Sequence, residues 1–248
     1  MKKINNVEYY NVLEITEKFL KNKSEEEVDI LFEEGRITGK KVDNEWFADK
    51  ESIDEYIDLY MNERHYTIGP IRIDLTDVQI KGRILDIGGG GEGIIGQLKG
   101  QQVIAIDPSK RELEEAPESK ALNIIMDAKD LKFLDNTFES VTSFFTLMYI
   151  PKEDHKKIFE EINRVLKNGG EFILWDLEIP KRKDSKEEIY IITLKIYINE
   201  KIIDTGYGTK WNKEQDAKHF IKLGKTIGFN VLEKNLEENH FYLRFKKA

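Results

Sequence analysis

Two aspartates, each near the end of an apolar run, have the type and spacing to do chemistry in this chain. Asp86 lies in the run Ile84–Ile87, and Asp107 closes the run Val103–Asp107, 21 residues later. A glycine-rich loop, Gly88–Gly93, follows the first run at once. Glycines permit positive φ and leave no Cβ to collide with a ligand, and a helix start adds free N–H groups. A strand, a glycine turn and a helix in this order predict a site for a nucleotide-like ligand.

Two classes of ligand compete for this loop. Gly88, Gly90 and Gly93 satisfy G-x-G-x-x-G, the pattern of dinucleotide sites. A pyrophosphate would be repelled by the carboxylate of Asp86, whereas a cationic amino group would be attracted to it. Asp107 has the spacing at which an acid binds ribose hydroxyls, and a carboxylate accepts from both hydroxyls of a vicinal diol. The residues favour a nucleoside with a cationic group and leave a nicotinamide dinucleotide as the alternative.

The elements that must position these residues alternate between strands and helices. Further strands are predicted at 122–126, 140–145 and 171–176, with helices at 110–115 and from Pro151 onward. This alternation with short turns predicts a parallel sheet, and the strand ends of such a sheet meet in one crevice. The last third of the chain predicts a hairpin around Asn199-Glu200, a helix over 211–228 and an antiparallel pair of strands at 231–236 and 240–246.

The motif D-x-G-x-G at residues 86–90 resembles motif I of the class I S-adenosylmethionine-dependent methyltransferases, in the type-11, quinone-biosynthesis-like branch. The stretches LKFLDNTFE at 131–139 and RVLKNGGEFIL at 164–174 are also similar to that family. Glu92 departs from it, because the family often has a third glycine there. The resemblance covers about residues 80–248. It implies an α/β, Rossmann-like, doubly wound, mostly parallel seven-stranded sheet with an antiparallel last strand, and here with an inserted hairpin.

The same resemblance implies S-adenosyl-L-methionine as the cofactor and S-adenosyl-L-homocysteine as its product. The cofactor-binding residues it implies lie at the strand ends: Asp86, Gly88, Gly89, Gly90, Asp107, Pro108, Asp127, Ala128 and Phe144. The substrate-side candidates are Tyr66, Thr146 and Met148. Tyr149 and Asp176 are the candidates for a general base, which is needed only when the acceptor starts protonated with a high pKa.

The N-terminal part of the chain predicts a separate small module. Helical patterns over Val12–Leu20 and Glu25–Phe32, a hairpin around Asp43-Asn44 and a last helix capped by Ser52 and reaching Tyr60 resemble an excisionase-type winged helix-turn-helix. The expected domains are 1–62 for this winged-helix-like module, 63–79 for a connection, and 80–248 for the methyltransferase domain, with the hairpin at 187–210.

Charge argues against DNA binding by this module. Residues 1–60 contain 9 Lys and Arg against 16 Asp and Glu, and the helix in the recognition position begins Glu25-Glu26-Glu27. Contacts to phosphates supply much of the affinity for nucleic acid, so an acidic helix is repelled. We therefore expect no nucleic-acid partner. A cap, a docking surface or a homodimer contact through this module or the hairpin remain as alternatives.

Composition limits the expected cellular location of the protein and the kinds of site that it can contain. The 248 residues include no cysteine, which excludes disulfides and thiolate metal ligands, and no His/Asp cluster has metal-ligand spacing. No apolar run approaches the eighteen or so residues of a membrane span, and the N-terminus has no apolar signal segment. We expect a cytoplasmic protein without a metal or a membrane anchor.

The sequence predicts direct methyl displacement from S-adenosylmethionine onto a small-molecule acceptor that no motif identifies. Two other functions stay open. One is a non-enzymatic regulator that binds S-adenosylmethionine and docks a partner through the N-terminal module. The other is a nicotinamide-dependent oxidoreductase.

Overall fold

The computed structural model describes residues 2–4, 7–21, 23–58, 65–182 and 187–248. The chain divides into two compact units. The first contains Met1–Tyr66 and Ser185–Ile189, and the second contains Thr67–Asp184 and Tyr190–Ala248. Each unit has its own apolar core.

The first unit combines three helices with a four-stranded sheet of order β1-β2-β4-β3. The predicted hairpin turns at Asp43 and Asn44, whose φ values of 51° and 68° suit a two-residue turn between right-twisted strands. Val28 and Ile53 are buried in its core. The elements are β1 Lys2–Ile4, β2 Val7–Asn11, α1 Val12–Lys18, α2 Glu25–Glu33, β3 Lys40–Val42, β4 Glu45–Asp49 and α3 Lys50–Tyr56.

Local capping explains where two of these helices begin. Ser24 accepts from the Glu27 N–H while the Glu27 side chain accepts from the Ser24 N–H, which is a capping box. The prediction that Ser52 caps the last helix is wrong. The cap is Asp49, whose carboxylate accepts from the Ser52 N–H at 2.8 Å, so α3 begins three residues earlier. The predicted extension of that helix to Tyr60 lies outside the described residues.

The second unit contains a seven-stranded sheet of order β13-β14-β10-β9-β6-β7-β8. β10, β9, β6, β7 and β8 are mutually parallel, and β14 is antiparallel to both β10 and β13. The mostly parallel sheet and its antiparallel ending match the prediction. The strands are β6 Ile84–Ile87, β7 Val103–Asp107, β8 Leu122–Ile125, β9 Phe138–Phe144, β10 Leu166–Leu177, β13 Phe229–Leu236 and β14 His240–Lys247.

Four helices accompany this sheet: α4 Ile94–Lys99, α5 Lys110–Glu115, α6 His155–Val165 and α7 Ala217–Ile227. Two begin later than predicted. Pro151 opens a turn, closed by the Asp154 N–H on the Pro151 carbonyl, and α6 starts only at His155. α7 starts at Ala217 and not at Trp211, because Asp216 caps it and Gln215 is held in a β-bridge to Ile179.

The segment expected to be a connection, residues 63–79, contains a strand that was not predicted. The structure has β5 His65–Asp74 there, followed by turns, and β5 joins β11 Ile189–Ile198 and β12 Lys201–Lys210 in a three-stranded sheet of order β12-β11-β5. The predicted hairpin is present. Its partnership with β5 was missed because the two segments are more than 100 residues apart in the chain.

The large sheet is covered differently on its two faces. Alternate residues along a strand face opposite sides, so Leu85 and Ile87 pack with α6 and α7, whereas Ile84 packs with α4 and the three-stranded sheet. The helical face is dominated by phenylalanines in ring contact, including Phe159, Phe172, Phe220, Phe229 and Phe245. The second face is closed by buried residues of the hairpin. Across the parts of the chain that the structure describes, no helix is long and apolar enough to cross a membrane.

Candidate active site

The predicted residues gather at the carboxyl edge of the large sheet. β6 pairs in parallel with β7 and β9, so Asp86, Asp107 and Phe144 stand at neighbouring strand ends. Asp176 lies one residue before the end of β10, which pairs with β9. Asp127 follows β8 by two residues. A crevice at this edge is where open α/β sheets bind ligands.

The glycine loop is shaped first by contacts with the protein itself. Gly88 has a φ of +70°, and an added Cβ would lie 2.2 Å from Cγ2 of Thr146. An added Cβ on Gly89 would lie 2.7 Å from the Ala105 side chain, and one on Gly90 2.6 Å from Cβ of Glu112. The N–H groups of Gly88 and Gly89 both donate to the Ile106 carbonyl. These glycines therefore let the loop lie flat on the ends of β7, β9 and α5.

Asp86 lies beneath this loop. Its side chain is 2% exposed, and the Thr142 hydroxyl donates to its Oδ1 at 2.7 Å. Burial raises the pKa of Asp86 to about 7, the Thr142 hydrogen bond opposes that rise, and the nearby Asp107 carboxylate adds to it. The Asp86 carboxyl therefore titrates near neutral pH. A cation bound above the loop would favour its ionised form.

Asp107 is half-buried at the end of β7. Its Oδ1 accepts from the Ser109 N–H at 2.8 Å. Burial raises its pKa, whereas hydrogen bonds from the backbone N–H groups of Ser109 and Gly90 lower it. The carboxylate therefore faces the glycine loop and keeps lone pairs for further donors. Pro108 is exposed beside it.

Asp127 and Ala128 differ in exposure. Asp127 is exposed, and its carboxylate accepts from the Lys129 N–H at 2.8 Å, while Ala128 is buried. The Asp107 carbonyl accepts from the Met126 N–H, which draws this segment toward the end of β7. Asp127 and Ala128 therefore follow the end of β8, beside the crevice. The carboxylate of Asp127 is on the solvent side.

The segment that leaves β9 contains an unusual backbone conformation. Phe145 has a φ of +50°, a left-handed value that is uncommon for a non-glycine residue and often marks a functional site. Its ring packs edge-on against Phe144, 4.9 Å away between centroids. Thr146 is half-buried and donates to the carbonyls of Ile87 and Phe144, while Met148 is wholly buried.

The two candidate bases have opposite environments. Tyr149 is 51% exposed at the end of a 3-10 turn, Leu147–Tyr149. Asp176 is 0% exposed, and its Oδ1 accepts from the Leu177 N–H and the Gln215 amide, both at 2.8 Å. Asp176 could meet an acceptor only if the segment holding Gln215 moved.

The electrostatics of Asp176 follow from that burial. Burial raises its pKa to about 7, against lowering contributions from the Leu177 N–H, the Gln215 amide and the backbone N–H groups of Leu147 and Met148. Within the described residues, Oδ2 of Asp176 and Oε1 of Gln215 have no hydrogen bond of normal geometry. The protonated carboxyl is therefore the main form of Asp176 in the folded protein at acidic pH.

A histidine pair supports the 3-10 turn from below. Nε2 of His155 lies 3.2 Å from the Leu147 carbonyl, and Nδ1 lies 3.1 Å from Nε2 of His219. Because a carbonyl can only accept, His155 donates through Nε2 and accepts from His219 at Nδ1. Burial lowers the pKa of His155 to about 4, which keeps this ring neutral.

Tyr66 belongs to the first unit, where it is exposed in the second position of β5. Its place in the substrate site therefore stays a prediction. Among the residues that the structure describes, no group of three or more His, Cys, Asp or Glu side chains could hold a metal ion.

Sequence reasoning missed several residues of this edge. Thr142, which donates to Asp86, and Glu92, Thr205 and Tyr207, which connect the glycine loop to β12, were not predicted. The only local signal was Glu92 itself, which departs from the glycine that the family often has there.

Comparison with known proteins shows which protein family part of the second unit resembles. A family model described as "Methyltransferase domain" matches residues 85–174. The chain is similar to 2-methyl-6-phytyl-1,4-hydroquinone methyltransferase 2 of Oryza sativa subsp. japonica, with 35% identity over 36% of this chain and 27% of that protein. It is also similar to demethylmenaquinone methyltransferase of Thermotoga maritima, with 28% identity over 47% of this chain and 52% of that protein. The matched region thus spans about half or less of these relatives.

A solved structure gives the fold. A SAM-dependent methyltransferase from Methanosarcina mazei superposes with a TM-score of 0.51 and 18% identity, over 69% of this chain and 94% of that one. Residues 85–174 therefore form a methyltransferase domain, within a unit that has the fold of S-adenosylmethionine-dependent methyltransferases.

Proposed function

We propose that this protein transfers a methyl group from S-adenosylmethionine to a small-molecule acceptor. The observation that carries the proposal is the pair of carboxylates at neighbouring strand ends, Asp86 and Asp107, on either side of the glycine loop. Negative charge there suits a cationic nucleoside and repels a diphosphate. The matched methyltransferase domain begins within β6, so it contains this edge.

Each strand end is assigned one part of the donor. Asp107, half-buried and facing the loop, accepts hydrogen bonds from the two ribose hydroxyls. Gly88, Gly89 and Gly90 shape the loop that receives the methionine part, with Asp86 supplying charge beneath it. Asp127 accepts from the adenine amine and Ala128 packs on the ring, next to exposed Pro108. Phe144 lines the crevice beneath the transferring methyl.

The bound donor supplies an activated methyl, so the acceptor's lone pair bonds to the methyl carbon while the carbon–sulfur bond breaks and its electron pair stays on sulfur. The protein chiefly aligns the acceptor with the donor and excludes water. Such alignment is worth roughly 7–11 kcal/mol in favourable cases. Thr146 and Met148 fix the 3-10 turn that faces the acceptor.

Of the two candidate bases, Tyr149 is better placed to meet an acceptor, because it is half exposed while Asp176 is sealed beneath the turn. A proton released by the acceptor would pass to the phenolate form of Tyr149 or directly to water. Asp176 instead lies beside the turn, where the backbone N–H groups of Leu147 and Met148 lower its pKa.

The acceptor class follows from the rings and charges on this side of the crevice. Tyr149 is half exposed on this side, the partly buried Tyr207 is near it, and the carboxylates of Asp86 and Glu92 lie close to Tyr207. An uncharged, flat, apolar acceptor fits such a wall, whereas an anionic one would be repelled. Relatives named for a hydroquinone and for demethylmenaquinone are consistent with this class.

For the first unit we propose an excisionase-like winged-helix architecture that docks a protein partner or a second copy of this chain. Its helices α1–α3 and the hairpin β3–β4 support the architecture. The three glutamates in the first turn of α2 argue against a major-groove role. A duplex-binding titration at physiological salt tests this: binding that weakens steeply with salt would contradict it.

Calorimetry with S-adenosylmethionine, S-adenosylhomocysteine and NADH tests the central proposal. We expect micromolar binding of the first two and none of the third, followed by transfer of labelled methyl to a member of a hydroquinone and sterol panel. Binding of NADH without S-adenosylmethionine would favour the oxidoreductase. Donor binding without transfer to any acceptor, together with a salt-dependent DNA shift, would favour the regulator.

A further inference from the structure

Strand β12 places three hydroxyl side chains on one face. Burial alternates along it, with Thr205, Tyr207 and Thr209 turned inward and the intervening residues exposed. These inward residues contact the glycine loop and the segment that leaves β9. Thr205 donates to Glu92 in the glycine loop, the Tyr207 ring stacks on Phe145, and Thr209 donates to the Met148 carbonyl at 3.4 Å. β12 therefore lies across the ends of β6 and β9.

Glu92 joins this strand to the donor loop. Its Oε1 accepts from the Thr205 hydroxyl and its Oε2 from the Tyr207 hydroxyl at 2.9 Å. Its carbonyl accepts from the Gln97 side chain at 2.7 Å, which ties the loop to the first turns of α4. A glycine at this position could form neither side-chain contact, so the link to β12 belongs to this chain's own sequence.

Tyr207 is fixed at both ends. Its ring stacks on Phe145 with 5.7 Å between centroids, at the residue with the left-handed backbone, and its hydroxyl is held by Glu92. Burial raises the pKa of Tyr207 well above its ordinary value, and Glu92 adds to this, with smaller contributions from Tyr149 and Asp86. The phenol stays protonated and is a hydrogen-bond donor, not a base. Its electrostatic neighbours are both the candidate base and the acid beneath the glycine loop.

We propose that β12 is a wall of the methyl-transfer site and that Tyr207, held by Glu92, is the positioning residue of that wall. The proposal rests on the proposed function, because it assigns the wall to the S-adenosylmethionine site. Glu92 belongs to the donor loop and Tyr207 to the wall. Occupation of the loop by the donor therefore orders β12, and a disturbance of β12 weakens donor binding.

Hydrogen exchange of the whole protein, with and without S-adenosylmethionine, tests this linkage. We expect donor binding to slow amide exchange in residues 201–210 several-fold. Tyr207→Phe removes only the hydroxyl, and Glu92→Gln keeps an acceptor but removes the charge. Both variants should lose the donor-dependent protection and bind the donor about tenfold more weakly, while the exchange of β13 and β14 stays unchanged. Thr205→Val removes the other hydroxyl that donates to Glu92 and provides a second test of the same link.

Tyr242→Phe is the matched control, because it removes a tyrosine hydroxyl that also faces a glutamate, Glu233, on the far strands of the sheet. It should bind the donor as the wild type does. A wild type that binds donor with no change in β12 exchange would overturn the inference while leaving the proposed function intact. So would wild-type affinity in both Tyr207→Phe and Glu92→Gln. A wild type that does not bind S-adenosylmethionine would overturn the proposed function, and this inference with it.

Discussion

Gly88 and Thr146 approach so closely that a Cβ on the glycine would lie 2.2 Å from Cγ2 and 2.4 Å from Oγ1 of the threonine. Gly88→Ala should therefore displace the loop from the exit of β9, besides straining a φ of +70°. We expect loss of S-adenosylmethionine binding and a lower thermal unfolding midpoint, measured by calorimetry. The cause would be a clash within the protein, not one with the ligand.

A second-site change separates these effects. Thr146→Gly removes all three atoms that the new Cβ would meet, so the double variant Gly88→Ala/Thr146→Gly should regain part of the lost stability, less the backbone strain of roughly 1–2 kcal/mol. Gly91→Ala is the control, with a similar φ of +58° but its nearest neighbour, Oε2 of Glu112, at 3.3 Å. A double variant no more stable than Gly88→Ala would show that the contact with Thr146 is not the cause.

Asp107→Ala should weaken S-adenosylmethionine binding on the order of 100- to 10,000-fold, since it removes the acceptor of two ribose hydroxyls and hydrogen bonds to charged groups are worth about 1.5–3 kcal/mol each. The measurement is the dissociation constant by calorimetry. Because Asp107 also accepts from Ser109, thermal unfolding must be followed in parallel. Asp127→Ala, at an exposed carboxylate, should have a smaller effect. Equal losses at the two positions would contradict the ribose role of Asp107.

Asp176→Asn should be more stable relative to the wild type at pH 8 than at pH 5. The pKa of Asp176 is raised from 3.8 to about 7, so the folded state binds a proton that the unfolded state has lost between these values. The unfolding free energy therefore falls as pH rises through that window, and the whole penalty is present above pH 7. The asparagine keeps an oxygen for Leu177 and Gln215 without the charge.

The expected difference is on the order of 1–3 kcal/mol, at about 1.4 kcal/mol per pKa unit with allowance for relaxation. Urea unfolding at both pH values measures this difference. The titration of Asp86 changes the stability of the wild type and of the variant equally, so it cancels in the comparison. Identical stability differences at pH 5 and pH 8 would show that Asp176 titrates normally. Loss of methyl transfer with unchanged donor affinity would instead restore Asp176 as a candidate base.

His155→Gln should lessen the acid sensitivity of the fold. The pKa of His155 is lowered by burial from 6.5 to about 4. Between these values the unfolded chain binds a proton that the folded protein excludes, so stability is lost as pH falls through that window. We expect the variant to be less stable than the wild type at pH 7, because the contact with Leu147 is disturbed, and this deficit to shrink toward pH 5. A deficit that grows with acidity would contradict a neutral His155.

The strand ends of the site could be predicted because each is set by its own short run of sequence. Asp107 closes its apolar strand, Asp86 lies one residue before the end of β6, and the glycine loop is contiguous with β6. The start of α7 could not be predicted. Residues 211–215 have helical spacing, but Gln215 forms a β-bridge with Ile179, which is distant in the chain. Pairing of β5 with β11 and the contact between Glu92 and Tyr207 depend on residues more than 100 positions apart, about which local patterns carry no information.

The same limit applies to exposure. The pattern of β10 predicts a strand that ends at Asp176, but its burial depends on Gln215, 39 residues later. The sequence does not distinguish an acidic residue that is accessible at a strand end from one that is buried there. What distinguishes them is the segment after the hairpin, whose path the local sequence does not determine.

The apolar side of the hairpin has a consequence for how this domain can change. Ile192, Leu194, Ile196 and Ile198 are buried in the same core as Ile84 and Trp175 of the large sheet. Removing the hairpin would expose an apolar face of the large sheet, so the hairpin stabilises the domain in addition to the role proposed for β12. If β12 is the wall proposed above, we expect changes in substrate preference to arise in its side chains, with the hairpin itself retained.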